Sequence, residues 1–414
     1  MSKNSLKMQF QPVQQSKKAE NLEKCVHCGL CLEVCPTYRL SGNENNSPRG
    51  RLSQWLGLSQ KRLHKNAKSC FYTEECLGCL ACETACPSNV PYGALLSDAK
   101  KQLIEEGDVL HTGLSLTGKL VSHHKLLQKL GLPIRLIRKF NGFGVFSHKF
   151  LFPGDPPLHC STEKYARTLM RLYKPDGPRV ALFTGCIMES FFREVNFSSV
   201  RILIANNIQV FVPREQVCCG AVLEHNGLPG QQELEEKNIQ VFDNLDVDTV
   251  LTNSAGCGLS LKNQLSKEVT DILYYLDAIS PKRGKALETD HIYLDMPCHL
   301  YYGQKKTKPP AQVFEAIGNS WSLAPDAENC CGSGGTYNIT HPKNAEKIIK
   351  EKSDFLNHVP YNNCVLATAN HVCMMQWHSA VELGMIKEGR RVSIKHVVQL
   401  LDEAYQNAGV YGKN

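Results

Sequence analysis

The sequence contains two twelve-residue runs of the same design, CVHCGLCLEVCP at 25–36 and CLGCLACETACP at 76–87. Each run has three cysteines at intervals of two residues, then a fourth cysteine three residues later that is followed by proline. Three thiolates at this spacing allow one tight loop to surround three corners of a metal–sulfur cube, with backbone N–H groups donating to the sulfurs. The fourth cysteine turns away from its own loop. The two runs therefore predict a pair of metal centres.

This spacing is that of the bacterial two-cluster ferredoxin run, in which the fourth cysteine of each run ligates the other cluster. We therefore predict two [4Fe–4S] clusters with crossed ligation. Zinc held by paired CxxC motifs is the alternative for a single run, but two intact runs with proline in place fit iron–sulfur better. The predicted ligands are Cys25, Cys28, Cys31 and Cys86 for the first cluster, and Cys76, Cys79, Cys82 and Cys35 for the second.

The length and the cysteine count narrow the class of protein. A chain of 414 residues with 19 cysteines is far longer than a small secreted disulfide scaffold, and the count is odd. Residues 1–18 lack the apolar core of a secretory signal, and no run of about 18 apolar residues predicts a membrane span. We therefore expect a cytoplasmic protein. The net charge of +7 is modest and no basic–aromatic platform stands out, which argues against nucleic-acid binding.

The C-terminal half contains an internal repeat. Cys186 precedes a Cys-Cys-Gly triplet, 218–220, by the same interval that separates Cys298 from a second triplet, 330–332, and one further cysteine follows each triplet. Short apolar strands alternate with longer helices from 179 onward, which predicts α/β lobes with mainly parallel strands. HIYLDMPC at 291–298 starts the second lobe as RVALFTGC at 179–186 starts the first.

Each lobe has four cysteines, enough for a further [4Fe–4S] cluster. The glycine after the pair permits a positive φ and close backbone approach. A structural zinc site and reduced thiols lining a cleft are the alternatives. The candidate ligands are Cys186, Cys218, Cys219 and Cys257 in the first lobe, and Cys298, Cys330, Cys331 and Cys373 in the second. Three cysteines outside the motifs are predicted not to be ligands: Cys70 as a surface thiol, Cys160, and Cys364 as a buried strand residue.

The fold class predicted from these patterns is a multidomain α+β chain. A mainly helical two-[4Fe–4S] ferredoxin-like N-terminal domain precedes two repeated α/β Cys-Cys-Gly lobes. Residues 116–140 within the predicted linker have the pattern of an amphipathic helix, suited either to a membrane surface or to packing on the ferredoxin-like domain. The predicted divisions are a flexible arm at 1–20, the ferredoxin-like domain at 21–100, a basic helical linker at 101–175, and the lobes at 176–285 and 286–408.

Several short motifs in the sequence resemble those of a known family. They are SPRGR (47–51), CCGAVLEHN (218–226), PCHLYYGQ (297–304) and CCGSGGTYNITHP (330–342). Together with the ferredoxin runs they resemble the iron–sulfur subunit of glycolate oxidase, a family within the larger group that carries heterodisulfide-reductase-type Cys-Cys-Gly domains. The resemblance covers about residues 20–405.

The resemblance implies an electron-transfer subunit. Such a subunit partners flavin-containing subunits that oxidise glycolate to glyoxylate, and it carries the electrons toward quinone; related proteins act on lactate. It would lie in the cytoplasm or peripherally on the inner face of the cytoplasmic membrane. No flavin or nicotinamide fingerprint occurs here, since GFGVFS at 142–147 lacks the third glycine. The substrate site is therefore expected on a partner chain, and no residue of this chain is assigned as catalytic.

Two other functions remain open. The wider Cys-Cys-Gly family often ends each domain in CxxC, but here Ser254 and Asn370 occupy the position of the first cysteine. This departure argues against a five-cysteine noncubane cluster and against a heterodisulfide-reductase-like thiol reductase. It leaves open a site of four thiolates or one with an oxygen ligand from Ser254. A non-catalytic protein braced by zinc is the third hypothesis. Four residues have two interpretations each, as groups that tune a cluster or as ordinary side chains: His27, His299, Arg49 and Arg51.

Overall fold

The computed structural model describes residues 20–64, 66–105 and 160–412, which fall into two compact units. The first unit contains 20–105 and the second 160–412. The predicted arm before residue 20 and the predicted amphipathic helix at 116–140 lie outside the described residues. Within the described ranges, each helix is too short or too polar to cross a bilayer.

The first unit is helical. Its two shortest helices begin directly after a residue with a left-handed backbone, Gly29 (φ 86°) or Leu80 (φ 66°), inside a cysteine loop. Its small apolar core contains Leu52, Trp55 and Leu95. The helices are α1 (Leu30–Glu33), α2 (Pro36–Ser41), α3 (Pro48–Ser59), α4 (Ala67–Glu74), α5 (Ala81–Thr84) and α6 (Tyr92–Glu105).

The second unit begins with α7 (Thr162–Tyr173) and then contains two lobes. In the first lobe, four parallel strands form a sheet of order β2-β1-β3-β4. Its elements are β1 (Arg179–Phe183), α8 (Cys186–Phe191), α9 (Arg193–Ala205), β2 (Gln209–Phe211), α10 (Ala221–Asn226), α11 (Gln231–Phe242), β3 (Thr249–Thr252), α12 (Ala255–Lys262), β4 (Glu268–Asp271) and α13 (Ile272–Ile279).

The second lobe has the same strand arrangement, β6-β5-β7-β8, and again all neighbouring strands are parallel. Equal topology in two consecutive segments confirms the repeat and the predicted α+β class. Its elements are β5 (His291–Leu294), α14 (Ala311–Ile317), β6 (Trp321–Leu323), α15 (Tyr337–Thr340), α16 (Pro342–Ser353), β7 (Asn363–Thr368), α17 (His371–Glu382), β8 (Arg391–His396) and α18 (Val397–Asn407).

The two lobes share one apolar core. α9 of the first lobe packs against α18 of the second, and buried residues of both, among them Leu203 and Leu401, belong to the same cluster. The central strands β1 and β5 are buried along their whole length or nearly so, as expected for parallel sheets covered on both faces. This shared core fixes the position of the cysteines of one lobe relative to those of the other.

Two strands were not predicted. The sequence pattern indicated only helices after residue 369, yet β8 (Arg391–His396) forms a parallel edge strand beside β7. β4 (Glu268–Asp271) likewise forms the edge of the first sheet beside β3. Both are edge strands that carry charged residues, so neither has the continuous apolar run of a central strand.

Candidate iron–sulfur centres

Two cavities of the first unit are lined by predicted cysteine ligands, five in the first and four in the second. The first encloses about 430 Å³, part of it open to solvent. Its cysteines are Cys25, Cys28 and Cys31 from the first loop and Cys86 from the end of the second, with Cys82 also reaching it. Cys28 is exposed, so this cavity lies close to the protein surface.

The second cavity encloses about 330 Å³, also partly open to solvent, and has the complementary set of cysteines. Its cysteines are Cys76, Cys79 and Cys82 from the second loop and Cys35 from the end of the first. Burial raises the pKa of the Cys82 thiol well above its usual value, with the nearby Cys79 and Cys76 adding to the effect. Thiols crowded in this way favour a cationic metal centre, because the metal offsets the repulsion between their thiolates.

Helix α3 lies between the two cavities and supplies one arginine to each. Pro48, at its start, lines both cavities. Arg49 lines the first, where its Nη1 donates to the His27 carbonyl oxygen at 2.8 Å. Arg51 lines the second. The interpretation that placed both arginines near clusters is therefore favoured over a solvated loop.

Arg51 is only 1% exposed, and its environment suits a negatively charged group. Its Nη2 donates to the Thr37 hydroxyl oxygen at 3.1 Å, while Nη1 is buried with no hydrogen-bond partner among the residues that the structure describes. Burial alone would lower its pKa, but the nearby Tyr92, Cys76 and Cys35 raise it above the usual value. A buried N–H beside two candidate ligands fits the sulfide acceptors of an iron–sulfur cluster.

Two residues of helix α6 contact Cys76, a cysteine of the second cavity, and the sequence motifs gave neither of them a role. The Tyr92 hydroxyl donates to Cys76 Sγ at 3.6 Å, and its ring lines both cavities. Lys100 Nζ donates to the Cys76 carbonyl oxygen at 3.2 Å. Both lie beyond the second run, and no spacing rule connects them to it.

In the first lobe the four predicted cysteines are brought together in a continuous series. Cys186 Sγ lies 3.2 Å from Cys218 Sγ, and Cys219 is hydrogen-bonded to both Cys218 and Cys257. All four are buried. The hydrogen bond to Cys218 and burial together raise the pKa of Cys186 well above its usual value.

The second lobe repeats this series. Cys330 is hydrogen-bonded to Cys298 and Cys331, and Cys331 to Cys373. Cys298 is half-buried and the other three are buried. Gly332 (φ 88°) has no room for a side chain, since a Cβ there would lie 2.9 Å from the Ala345 carbonyl oxygen. A turn of π-helix, a feature often found at functional sites, follows Cys298 at 299–303.

These groupings differ from a single-ion site. Within residues 20–64, 66–105 and 160–412, no three His, Cys, Asp or Glu side chains form a group suited to one metal ion. The thiols instead surround two cavities or follow one another in two series of four. The assignment of metal therefore depends on the cysteine motifs and on this grouping.

The second lobe also contains a buried ion pair beside its thiols. Lys352 Nζ lies 2.6 Å from Asp295 Oδ1, and both side chains are at most 4% exposed. Although burial works in the opposite direction, Asp295, Cys331 and Cys373 raise the pKa of Lys352. The position three residues before the first cysteine is Asp295 in this lobe but Phe183 in the other. The two lobes therefore surround their thiols with different charges.

The two residues that replace the CxxC cysteines meet where the lobes join. Ser254 Oγ donates to Asn370 Oδ1 at 3.0 Å and lies 3.1 Å from His371 Nδ1. Asn370 Nδ2 in turn donates to Cys373 Sγ at 3.3 Å. Burial, and secondarily the charge of His396, lowers the pKa of His371 to about 3.

The cysteines outside the motifs line neither of the two cavities. Cys364 is buried in β7, as expected, and Cys160 is also buried. Cys70 was expected at the surface, but it is 3% exposed on α4, so that expectation is wrong. His27 lines the first cavity with a left-handed backbone (φ 55°). His299 stacks on His225 with ring centroids 4.8 Å apart.

Comparison with family models assigns both units. Residues 21–90 match the model of the 4Fe-4S dicluster domain. Residues 180–262 and 294–377 each match the model of the cysteine-rich domain, so that model occurs twice.

Three curated proteins illustrate the similarity. The probable glycolate oxidase iron–sulfur subunit of Bacillus subtilis (strain 168) is 30% identical, covering 92% of this chain and 94% of that protein. The glycolate oxidase iron–sulfur subunit of Escherichia coli (strain K12) is 28% identical over 93% and 94%. Lactate utilization protein A of Shouchella clausii is 24% identical over 54% of this chain and 98% of its own length.

Proposed function

The chain belongs to the family of glycolate oxidase iron–sulfur subunits, with a 4Fe-4S dicluster domain followed by two cysteine-rich domains. We propose that it carries electrons from a flavin-containing partner subunit that oxidises glycolate to glyoxylate, and delivers them toward quinone. Iron–sulfur clusters supply one-electron transfer when bound, whereas oxidation of a 2-hydroxyacid removes two electrons, so a flavoprotein is the simplest partner.

One observation carries this proposal: the crossed lining of the two cavities. The first loop contributes three cysteines to one cavity and its fourth to the other, and the second loop does the reverse. Two adjacent sites that share loops in this way suit a pair of neighbouring one-electron centres. We propose that Cys25, Cys28, Cys31 and Cys86 hold one cluster and that Cys76, Cys79, Cys82 and Cys35 hold the other.

The exposure of the first cavity supports an exchange of electrons at the surface of the dicluster unit. Cys28 is exposed, and the neighbouring Val26 and Leu30 are 67% and 56% exposed. The second cavity instead contains the buried Arg51. This difference is suited to electron entry or exit at the first centre and storage or onward transfer at the second.

The thiols of the two lobes support further centres on the same path. Each lobe gathers four cysteines with their sulfurs linked to one another. We propose that each lobe holds one further cluster, with Cys186, Cys218, Cys219 and Cys257 as ligands in the first lobe and Cys298, Cys330, Cys331 and Cys373 in the second. The proposed complex works in the cytoplasm, docked peripherally on the inner face of the membrane where quinone is available.

The test is optical. The chain is purified anaerobically with its native partners and glycolate is added. The absorbance at about 400 nm, where iron–sulfur charge transfer is expected, is then followed. The proposal predicts bleaching by glycolate to a large share of the extent reached with dithionite. A sample that dithionite bleaches but no hydroxy acid does would contradict the proposed donor.

Lactate is the second candidate substrate, and the similarity to lactate utilization protein A favours it over other acids. The same sample therefore receives D-lactate and L-lactate in separate cuvettes. Bleaching by lactate but not by glycolate would keep the relay and replace the substrate. Acetate, which is glycolate without the hydroxyl group that is oxidised, is the matched negative control.

A further inference from the structure

Ser254 and Asn370 occupy equivalent positions in the two lobes. Each lies three residues before the last cysteine of its lobe and directly before the helix that carries that cysteine, α12 or α17. Serine and asparagine at this position usually cap the helix with their side chains. Here neither side chain makes a capping hydrogen bond, and both are nearly inaccessible, at 2% and 4% exposure. Their polar groups instead form hydrogen bonds with other side chains.

The two side chains are connected to each other across the junction of the lobes. Ser254 of the first lobe donates to Asn370 Oδ1 of the second at 3.0 Å, and the same amide donates through Nδ2 to Cys373 Sγ at 3.3 Å. His371 Nδ1, 3.1 Å from the Ser254 hydroxyl oxygen, is placed to donate into it. With that tautomer the donors run in one direction, from His371 through Ser254 and Asn370 to the sulfur of Cys373.

We propose that Ser254, a residue of the first lobe, is a positioning residue that sets the reduction potential of the cluster in the second lobe by holding the Asn370 amide against Cys373. The inference rests on the proposed function, because it needs a cluster bound by Cys298, Cys330, Cys331 and Cys373. The hydrogen bond between the lobes would then influence electron transfer as well as hold the lobes together.

The physical reason is the charge of the ligand sulfur. A hydrogen bond to a cluster sulfur stabilises the more negative, reduced state and so raises the reduction potential. An asparagine amide can present either its donor or its acceptor to the sulfur. The Ser254 hydroxyl selects the orientation with Nδ2 toward Cys373, since it donates to the oxygen of that amide. Without this hydroxyl, the donor to the sulfur is no longer fixed.

The test is a potentiometric titration followed by electron paramagnetic resonance, on the full chain purified anaerobically. Cys186→Ser and Cys298→Ser variants, which each disable one lobe, assign the signals. Ser254→Ala should lower the potential of the second-lobe cluster, with about a tenfold smaller reduced-to-oxidised ratio at a fixed potential, which is ~59 mV for one electron. Asn370→Leu should lower it in the same direction, and the double variant should lower it no further than Asn370→Leu, because the two residues act in series.

Two further variants control for structure. Ser254→Thr keeps the hydroxyl and should keep the wild-type potential. Ser199→Ala removes a hydroxyl that is equally buried but accepts from Asn253 within the first lobe, and it should leave the second-lobe potential unchanged. If Asn370→Leu does not fold, the comparison of Ser254→Ala with Ser254→Thr still decides.

The outcomes separate the two proposals. A second-lobe potential that is the same in Ser254→Ala and wild type would overturn the inference alone, as would equal shifts of all clusters. Lobes that contain no iron when the dicluster unit is fully loaded would overturn both the inference and the proposed path through the lobes. A downward shift confined to the second-lobe cluster, restored by threonine, is the result that we expect.

Discussion

Cys86 lines the same cavity as Cys25, although its own loop neighbours Cys76 and Cys79 line the other one. The short helix α5, which ends at Thr84, carries the chain from one cavity to the other. The fourth cysteine of the first run, Cys35, makes the opposite crossing. Each loop thus contributes cysteines to both sites.

The first prediction concerns this crossing. Cys86→Ser should disrupt the cluster of the first loop and spare most of the second, so its spectrum should match that of Cys28→Ser rather than that of Cys79→Ser. Iron content and electron paramagnetic resonance of the dithionite-reduced protein measure the effect. Cys70→Ser is the control, since Cys70 is buried but lines neither cavity. A Cys86→Ser spectrum that matches Cys79→Ser would refute the crossed assignment.

The second prediction concerns the arginines of α3. Removing the buried positive charge of Arg51 should lower the potential of the second cluster by roughly 100 mV, since an elementary charge interacts with a neighbour by a few kcal/mol and ~2.3 kcal/mol corresponds to 100 mV. Arg51→Gln is measured by the same titration. The matched change Arg49→Gln should act on the first cluster instead. Equal effects of the two variants on both clusters would contradict the placement.

The third prediction concerns the buried pair Lys352–Asp295. Lys352→Met leaves a buried carboxylate without its partner and should lower the free energy of unfolding by about 3–5 kcal/mol. Anaerobic urea unfolding measures this loss. The more accessible pair Lys395–Glu403 is the control, and Lys395→Met should cost at most about 1 kcal/mol.

A compensating variant checks the cause of that loss. Replacing both partners, Lys352→Met with Asp295→Leu, should recover part of the stability because no charge then remains unpaired. A double variant that is less stable than Lys352→Met alone would contradict this cause. It would show that the ion pair contributes more to stability than the avoidance of an unpaired buried charge.

The fourth prediction concerns pH. His396 Nδ1 accepts from Val398 N–H and its Nε2 donates to the Asn253 carbonyl oxygen, an arrangement that requires the neutral ring. Burial lowers its pKa to about 4, against the opposing backbone hydrogen bonds. Between about pH 6.5 and 4 the unfolded chain binds a proton that the folded chain does not, so stability is full above pH 6.5 and falls on acidification.

His396 contributes about 1 kcal/mol to the loss of stability between pH 7.5 and 5.5, measured from urea midpoints. Burial also lowers the pKa of His371, which adds a loss of the same sign. His396→Asn keeps a side-chain acceptor at the start of α18 and should remove this part of the pH dependence. The matched control is His358→Asn, the same substitution at an exposed histidine. An unchanged pH dependence in His396→Asn would contradict the assignment.

The sequence predicts best those features that depend on local patterns of residues. Spacing identified which cysteines share a cavity, because tight loops and the proline after Cys35 or Cys86 constrain the backbone locally. The apolar runs at β1, β5 and β7 were also predicted as strands, because a short run of apolar residues is itself a local pattern. The repeat was visible because both lobes place a Cys-Cys-Gly turn at the same interval from the first cysteine.

What the sequence did not reveal depends on contacts between distant segments. Tyr92 reaches Cys76 only because α6 packs beside the second cavity, and Lys352 of α16 meets Asp295, 57 residues earlier in the chain, only in the folded lobe. Ser254 and Asn370 were visible as departures from a cysteine pattern, but their hydrogen bond depends on how the lobes pack. The strand β8 was overlooked because an edge strand needs only one partner and carries few apolar residues.

The most direct test of the account counts the metal centres. The central claim is that the path contains four clusters, two in the dicluster unit and one in each lobe. Iron, sulfide and zinc are measured in the anaerobically purified chain, with Mössbauer spectroscopy to identify the cluster type. If each of the four sets of cysteines binds a [4Fe–4S] cluster, the chain contains about 16 iron atoms, all in such clusters. About eight iron atoms together with zinc, or with no other metal, would contradict it.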